Sequence, residues 1–281
     1  MTDITIRQAT KNDISLVASF LSKAALIHRH LDWRPMLDWI EFEPFLLLFS
    51  QEQLCSVLSC APAPEGIAWI HIFAADHYST SAEYFSALFT TATNHGALSN
   101  HTFCTVGLYE WFNELVVKFG FVKTQDIVVL TRESKTKLEF QREEQVLTRP
   151  LELEDLDEVA RVDTHAFEPI WVLSREMLEL AFRQSEHAAV AELDGKIVGY
   201  EISTANHFAA HLARLAVDPT IARKHIGLEL VRYMLDYYAR RGIQNITVNT
   251  QSNNVASLSL YKKLGFTETD ETFPVFTFHD R

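Results

Sequence analysis

Length, composition and charge exclude several classes of protein. The chain has 281 residues, 47% of them hydrophobic and 22% charged, as in ordinary globular proteins. Its formal net charge of −12 argues against a nucleic-acid partner, because such proteins neutralise phosphates with clustered Lys and Arg. The three cysteines lack metal-ligand spacing, so they predict reduced thiols and no metal site.

The sequence contains no segment that predicts a membrane partner. The longest apolar run, residues 45 to 49, is far shorter than the roughly 20 residues that span a bilayer. Residues 1 to 13 lack a basic segment followed by an apolar run, which is the pattern of a secretory signal. We therefore expect a cytoplasmic protein.

Two segments of the chain follow the same pattern. Residues 7 to 18 (RQATKNDISLVA) and 149 to 160 (RPLELEDLDEVA) each begin with Arg, have Asp six places later and end in Val-Ala. Each predicts a strand, a short turn and a helix that begins at an acidic or capping residue. The endings also match, since residues 119 to 121 read FGF and residues 264 to 266 read LGF.

The repeat predicts two related domains, a first in residues 1–140 and a second in residues 146–281. Between them, the charged stretch at 134–145 is a linker or a shared outer strand. The first domain begins with the strand, turn and helix of the repeat. Further elements are expected in chain order: two or three strands in 51–76 around a Pro-rich turn, a helix at 82–93, and extended segments at 102–108 and 126–131.

The second domain gives clearer signals. Asp194-Gly195 between two apolar runs predicts a hairpin, and Gly265 closes a short helix in the left-handed position. Helices before and after an antiparallel meander predict a mixed α/β (α+β) fold. The expected elements are a hairpin at 187–204, a strand at 208–217, a helix at 226–240, a strand at 242–250, a helix at 254–264 and a strand at 272–278.

The helix that ends at Gly265 carries the most specific motif of the chain. Residues 253 to 266 read NNVASLSLYKKLGF, and the pattern Asn-x-x-Ala-x-x-Leu-Tyr-x-x-x-Gly-Phe fits it with Ser257 in place of alanine. The typed positions are Asn254, Ser257, Leu260, Tyr261, Gly265 and Phe266. With this motif the second domain resembles the GNAT acyltransferase superfamily, whose members move an acyl group from coenzyme A to an amine. The first domain resembles a degenerate repeat of it, because Val116 stands at the place of Tyr261.

The resemblance implies a binding site for acetyl-CoA, used as co-substrate. The cofactor pyrophosphate is expected at the loop and helix start Ala222, Arg223, Lys224, His225, Ile226 and Gly227, where free backbone N–H groups and the helix dipole suit phosphate oxygens. His225 stands where the family has a glycine, and Arg223 and Lys224 can compensate by charge. Read alone, the segment is also an ordinary helix start.

The resemblance also implies roles for the preceding strand and for the tyrosine. The backbone of Leu215, Ala216 and Val217 is expected to pair with the pantetheine arm and to polarise the thioester carbonyl. Tyr261 is expected to protonate the departing thiolate, because a phenol with a pKa near 10 stays protonated at neutral pH. Asn254 and Ser257 belong to the same cofactor-binding motif.

The residue that takes the proton of the amine remains open. His211 and Glu201 are the two candidates for a catalytic base, acting directly or through water. Each is also an ordinary strand residue. A chain of water molecules without a single base is the third alternative.

The acceptor site is expected in the loop after the first helix of the second domain. Asp163, Phe167, Glu168 and Trp171 combine carboxylates with rings, which can hold a cationic amine. The alternative is a helix connection whose aromatic residues pack into the core.

The sequence thus predicts an N-acetyltransferase that moves acetyl from acetyl-CoA to a small-molecule or peptide amine by direct attack, in the second domain. The competing hypothesis is a non-catalytic GNAT-like module that binds coenzyme A or serves as a protein-interaction scaffold. His225 favours the scaffold, and Tyr261 within its motif favours the enzyme.

Overall fold

The computed structural model describes residues 4–133, 146–221 and 225–279. The chain forms two compact units: unit 1 comprises Met1–Thr124 and Phe273–Arg281, and unit 2 comprises Gln125–Thr272. They differ from the ranges predicted from the sequence, because the last residues of the chain belong to unit 1. The predicted linker at 134–145 lies outside the described residues.

Both units combine helices with strands, which confirms the predicted mixed α/β architecture. The elements up to the chain's middle are β1 (Ile4–Gln8), α1 (Ile14–Leu21), β2 (Leu26–Arg29), β3 (Phe45–Ser50), β4 (Gln53–Ser59), β5 (Ile67–Trp69), β6 (Ile72–Ala75), α2 (Ser81–Thr93), β7 (Thr102–Val106), α3 (Glu110–Lys118) and β8 (Val122–Glu133). Those that follow are β9 (Val146–Pro150), α4 (Leu156–Ala166), α5 (Arg175–Gln184), β10 (His187–Leu193), β11 (Lys196–Ala205), β12 (Ala209–Val217), α6 (Ile226–Arg240), β13 (Asn245–Gln251), α7 (Val255–Lys263) and β14 (Thr267–His279).

Unit 1 is built around an apolar core between strands and helices. Its main sheet has the strand order β1-β3-β4-β6-β2, and β7 pairs in parallel with β5 and antiparallel with the second half of β14. Phenylalanines from α2, α3 and the strands form the centre, with Phe73, Phe85 and Phe112 fully buried. All three cysteines lie in this unit and are buried and free.

Unit 2 has the strand order β14-β8-β13-β12-β11-β10-β9. The predicted hairpin is confirmed, and its turn residues Asp194 and Gly195 both have positive φ. The helix predicted at 226–240 is α6, whose apolar side packs on the sheet through residues such as Leu230 and Met234. In the ranges that the structure describes, no helix is long and apolar enough to cross a membrane.

The repeated Arg and Asp of the two units make the same contact. Arg7 donates to both carboxylate oxygens of Asp13 at 2.6 and 2.8 Å, and Arg149 does the same to Asp155 at 2.6 and 2.8 Å. In both units the Asp also accepts a backbone N–H three residues earlier, at 2.8 Å. A bidentate Arg–carboxylate pair ties β1 to the start of α1 in unit 1 and β9 to the start of α4 in unit 2. This shared lock is the structural basis of the sequence repeat.

Gly199 of β11 gives the first test of this packing. A Cβ at this position would lie 3.0 Å from the Ala216 carbonyl oxygen and 3.0 Å from a methyl group of Ile226. We expect Gly199→Ala to lower the free energy of unfolding by about 1 to 3 kcal/mol, because backbone and helix must move apart.

The measurement is urea denaturation followed by circular dichroism. Gly96→Ala is the control, since nothing lies within 4 Å of its added Cβ, and a change within about 0.5 kcal/mol is expected. Equal stability of Gly199→Ala and wild type would contradict the packing described.

Candidate functional site

Strand β12 parts from its parallel neighbour β13 halfway along its length. The pairing runs from Ala209–Asn245 to Leu212–Val248 and ends there. Just beyond, Ala213 has no partner on β11, because Leu212 faces Ser203 and Arg214 faces Ile202. One extra residue in one strand is a β-bulge, which bends the strand and raises its twist. The two parallel strands therefore open at the bulge.

The second half of β12 presents an open backbone edge to this gap. Leu215, Ala216 and Val217 pair on one side with Glu201, Tyr200 and Gly199 of β11. Among the described residues no strand pairs with their other side. Free N–H and C=O groups along such an edge can bind an extended ligand as an added strand would be bound. These three residues are those predicted to pair with the pantetheine arm.

Helix α6 begins next to the same gap. Its N-cap, His225, has φ +46° and ψ 24°, a left-handed conformation that glycine adopts without strain. A Cβ on Gly227 would lie 3.2 Å from Leu260 of α7 and 3.6 Å from Val217 of β12. The close approach at Gly227 therefore brings the start of α6, the end of β12 and α7 together. Ala222, Arg223 and Lys224 lie outside the described residues.

Helix α7 carries the predicted motif as expected. The Asn254 side chain accepts the backbone N–H of Ser257 at 3.1 Å and so caps the helix, and Gly265 has φ +83° after its end. Tyr261 is 4% exposed, and its ring lies 5.6 Å from that of Phe266. Burial raises the pKa of the Tyr261 phenol, and its hydroxyl makes no hydrogen bond to another described residue. The hydroxyl is therefore protonated at neutral pH.

The two candidate bases lie on opposite faces of the sheet. Glu201 is directly opposite Leu215, which packs against α6, so both are on the α6 face. Ala210 and Leu212 also pack in the core that α6 covers, and side chains alternate along a strand. His211, between them, therefore points to the other face.

Glu201 belongs to a buried pair beneath α6. It is fully buried, and its Oε1 lies 2.6 Å from His187 Nδ1. Burial raises the pKa of the Glu201 carboxyl, and the contact with His187 opposes that rise. His211 is only partly buried, with Nδ1 2.9 Å from Thr247 Oγ1, and burial lowers the pKa of its imidazole. His211 is thus neutral at neutral pH and the more accessible of the two.

Asp163 and Phe167, predicted to hold a cation, hold one from the chain itself. The Arg214 guanidinium donates to Asp163 Oδ2 at 2.8 Å through Nε and lies 3.8 Å above the Phe167 ring. Asp163 is fully buried and also accepts bonds from the Tyr200 hydroxyl and, at 2.8 Å, the Leu173 backbone N–H. Its carboxylate is therefore committed to the protein.

Glu168 and Trp171 occupy the turn at the other end of this loop. Arg214 Nη2 donates to the Trp171 carbonyl at 2.6 Å and so fixes the backbone of the turn. Gln125 bridges the two side chains, donating to Glu168 at 2.9 Å and accepting from the Trp171 indole at 3.2 Å. Glu168 is exposed and Trp171 partly exposed.

Sequence reasoning missed Arg214 and Tyr200, which hold this loop in place. The available signal was the charge itself, because Arg214 interrupts the apolar run HLARLAV of β12. A buried Arg needs an acidic partner, but the sequence indicated Asp163 only as a residue that binds the substrate.

The described residues fit coenzyme A in two respects. The edge of β12 offers backbone donors and acceptors to an extended arm, and the start of α6 offers free N–H groups to a phosphate. At the start of α6, the left-handed His225 reduces the space for a phosphate, because its side chain stands where glycine would leave room.

Comparison with known proteins identifies the same part of the chain. Residues 151–266 match the model of the Acetyltransferase (GNAT) family. The ribosomal protein bS18-alanine N-acetyltransferase of Escherichia coli is 31% identical over 75 residues, which are 27% of this chain and 51% of that protein. The chain thus spans about half the length of the curated relatives that it matches first.

Solved structures resemble the whole chain. A tandem GNAT protein from the clavulanic acid biosynthesis pathway has a TM-score of 0.65 at 12% identity, over 99% of this chain and 98% of its own. A GCN5-related N-acetyltransferase from Anabaena variabilis has a TM-score of 0.70 at 11% identity, over 98% and 72%. At such identities the likeness shows the fold, which is that of two GNAT-like parts in tandem. The family match and the geometry of β12, α6 and α7 agree, and residues 151–266 are a domain of the GNAT acetyltransferase family.

Proposed function

We propose that the protein is an N-acetyltransferase that moves an acetyl group from acetyl-CoA to an amine by direct attack, with the catalytic site in residues 146–281. The observation that carries the proposal is the open edge of β12 at Leu215 to Val217, next to the start of α6 and to Leu260, which precedes Tyr261 on α7. Acetyl-CoA supplies a thioester carbonyl that an amine can attack and a thiolate that can leave.

The chain's own residues then have three tasks. The backbone of Leu215, Ala216 and Val217 binds the extended arm and presents an N–H to the oxyanion that forms on attack. The start of α6, with His225 and Gly227, binds the pyrophosphate, and Arg223 and Lys224 add positive charge there. Tyr261, protonated and buried, donates its proton to the leaving sulfur.

For the base, the structure favours His211 over Glu201. A neutral imidazole on the face opposite α6 can accept a proton directly or through water. Glu201 is sealed beneath α6 beside His187, and in our proposal it supports the strand instead. The opening between β12 and β13 lies within the sheet, so side chains on either face can act on a ligand bound in it.

The amine acceptor is proposed to bind beside the turn that carries Glu168 and Trp171. A carboxylate next to a ring attracts a cationic amine. Asp163 and Phe167 act indirectly, because they fix Arg214, which in turn fixes the Trp171 carbonyl. The name of the Escherichia coli relative states a protein alanine as its acceptor, which supports a peptide amine here beside a small-molecule amine.

Titration calorimetry with acetyl-CoA, combined with an assay of free thiol release in the presence of an amine panel, tests the proposal. We expect saturable binding and amine-dependent release. Binding without release for any amine would favour the competing hypothesis, a scaffold that binds coenzyme A. No binding at millimolar ligand would contradict the proposed donor site.

Tyr261→Phe tests the acid. Removing the hydroxyl should lower kcat by about 10² to 10⁴-fold, because the sulfur then leaves without a proton donor, while the Kd of acetyl-CoA stays within about twofold. The measurements are steady-state thiol release and calorimetry. Tyr237→Phe is the control, since its hydroxyl donates to the Glu186 carbonyl at 3.1 Å on an exposed part of α6. Unchanged kcat in Tyr261→Phe would rule out the proposed proton donor.

His225→Gly tests the phosphate site. Glycine adopts the left-handed conformation freely and removes the side chain, so acetyl-CoA should bind severalfold more tightly, on the order of 1 kcal/mol. Asp194→Gly, at a left-handed turn residue with φ +51°, is the matched control for backbone strain alone. Calorimetry should show tighter binding only in His225→Gly, and weaker binding there would contradict the assignment.

Arg214→Leu tests how the acceptor loop is held. Asp163 would be left as an unpaired buried carboxylate, a loss of about 3 to 5 kcal/mol in unfolding free energy. Asp163→Asn combined with Arg214→Leu should recover part of it. Arg175→Leu, which removes exposed pairs with Asp157 and Glu179, is the control and should change stability little. Chemical denaturation measures the free energy of unfolding of each variant. Equal losses in Arg214→Leu and Arg175→Leu would contradict the proposed role of the Arg214–Asp163 pair.

A further inference from the structure

Unit 1 repeats the strand framework of the donor site in the same register. Ser56 to Ser59 of β4 face Ala75 to Ile72 of β6, as Gly199 to Ile202 of β11 face Val217 to Arg214 of β12. Trp69 of β5 faces Cys104 of β7 in parallel, as His211 faces Thr247. Strand β6 thus corresponds to the second half of β12, and the parallel pairing in unit 1 also ends just before it.

In unit 1, however, the edge of β6 is covered. Strand β2 pairs antiparallel with it, Leu26 opposite Ala75 and Arg29 opposite Ile72. The ladder continues with a bond of 2.8 Å from the His30 backbone N–H to the His71 carbonyl. The backbone groups that correspond to those of Arg214 to Val217 are therefore already bonded to the chain itself.

The side chain of His28 fills the space between the parted strands. It is fully buried, its ring stacks on Phe112 of α3 at 3.7 Å, and its Nε2 lies 3.1 Å from Thr105 Oγ1 of β7. Burial, with a smaller effect of the neighbouring His30, lowers the pKa of His28 to about 3. A neutral, stacked ring thus joins β2 to both sides of the opening.

The segment at the same chain position in unit 2 takes another path. Residues 26–29 follow the first helix of unit 1, as residues 168–171 follow that of unit 2, 142 positions later. There the segment includes the short turn Pro169–Trp171, whose last carbonyl is bound by Arg214. Ile72 stands at the place of Arg214 in unit 1 and offers no such bond.

We propose that β2 is a built-in strand plug that closes in unit 1 the backbone edge that unit 2 leaves open for the acyl donor, so that the chain binds one molecule of acetyl-CoA. This inference rests on the proposed function, which places the donor along β12. An arm that entered unit 1 would have to displace the β2 ladder and the stacked His28 ring. Val116 in place of the tyrosine leaves unit 1 without the proposed proton donor, whereas β2 leaves it without the backbone edge that would bind acetyl-CoA.

Hydrogen–deuterium exchange of the wild-type chain, with and without saturating acetyl-CoA, tests the plug. Without ligand, peptides covering 26–29 and 72–75 should exchange slowly, while the peptide covering 213–217 retains fast amides on its open edge. With ligand, protection should rise at 213–217 and stay unchanged at 72–75. Calorimetry should give one site per chain.

Each outcome bears on one of the two claims. Two sites per chain, or ligand-dependent protection at 72–75, would overturn the plug and leave the proposed function standing. One acetyl-CoA site per chain, together with the expected pattern of hydrogen–deuterium exchange, supports both the plug and the proposed function. If no ligand binds, the proposed function fails, and the ligand-free exchange still decides the plug: slow amides at 26–29 support the closed edge, and fast amides there refute it.

Discussion

The parting of β12 from β13 after Leu212 is the feature around which the rest of unit 2 is arranged. Paired strands satisfy each other's backbone groups, so an opening in the middle of a sheet needs a cause and an occupant. The bulge at Ala213 supplies the cause, because it turns the second half of β12 away from β13. The start of α6 lies beside the end of β12 and Leu260 of α7, and our proposal assigns the phosphate site to that helix start and the proton donor to Tyr261, the residue after Leu260.

The same framework occurs in both units with different contents. Both keep the lock between a strand and the helix that follows it, Arg7 with Asp13 and Arg149 with Asp155, and both keep the interrupted parallel pairing. In unit 2 a buried Arg214 holds the following loop by its backbone, whereas in unit 1 the corresponding segment is a strand in the gap. The proposed catalytic groups all lie in unit 2.

Local signals in the sequence predicted much of this fold. The turn at Asp194-Gly195, the bounds of α6 and the left-handed Gly265 depend on neighbours in sequence, and the structure has them as expected. Strand β2 was missed, because its four residues LIHR show no alternation and are fixed by a partner more than 40 positions away. The pairing of Arg214 with Asp163, 51 residues apart, was missed for the same reason. The last residues of the chain belong to unit 1 through tertiary packing, which the periodicity of the sequence does not encode.

A crystal structure of the chain with acetyl-CoA tests the central claim most directly. The account predicts the pantetheine arm paired with the backbone of Leu215 to Val217, the diphosphate at the start of α6, and the sulfur within hydrogen-bond reach of the Tyr261 hydroxyl. Density for the nucleotide at another place, or a Tyr261 hydroxyl turned into the core away from the sulfur, would contradict it.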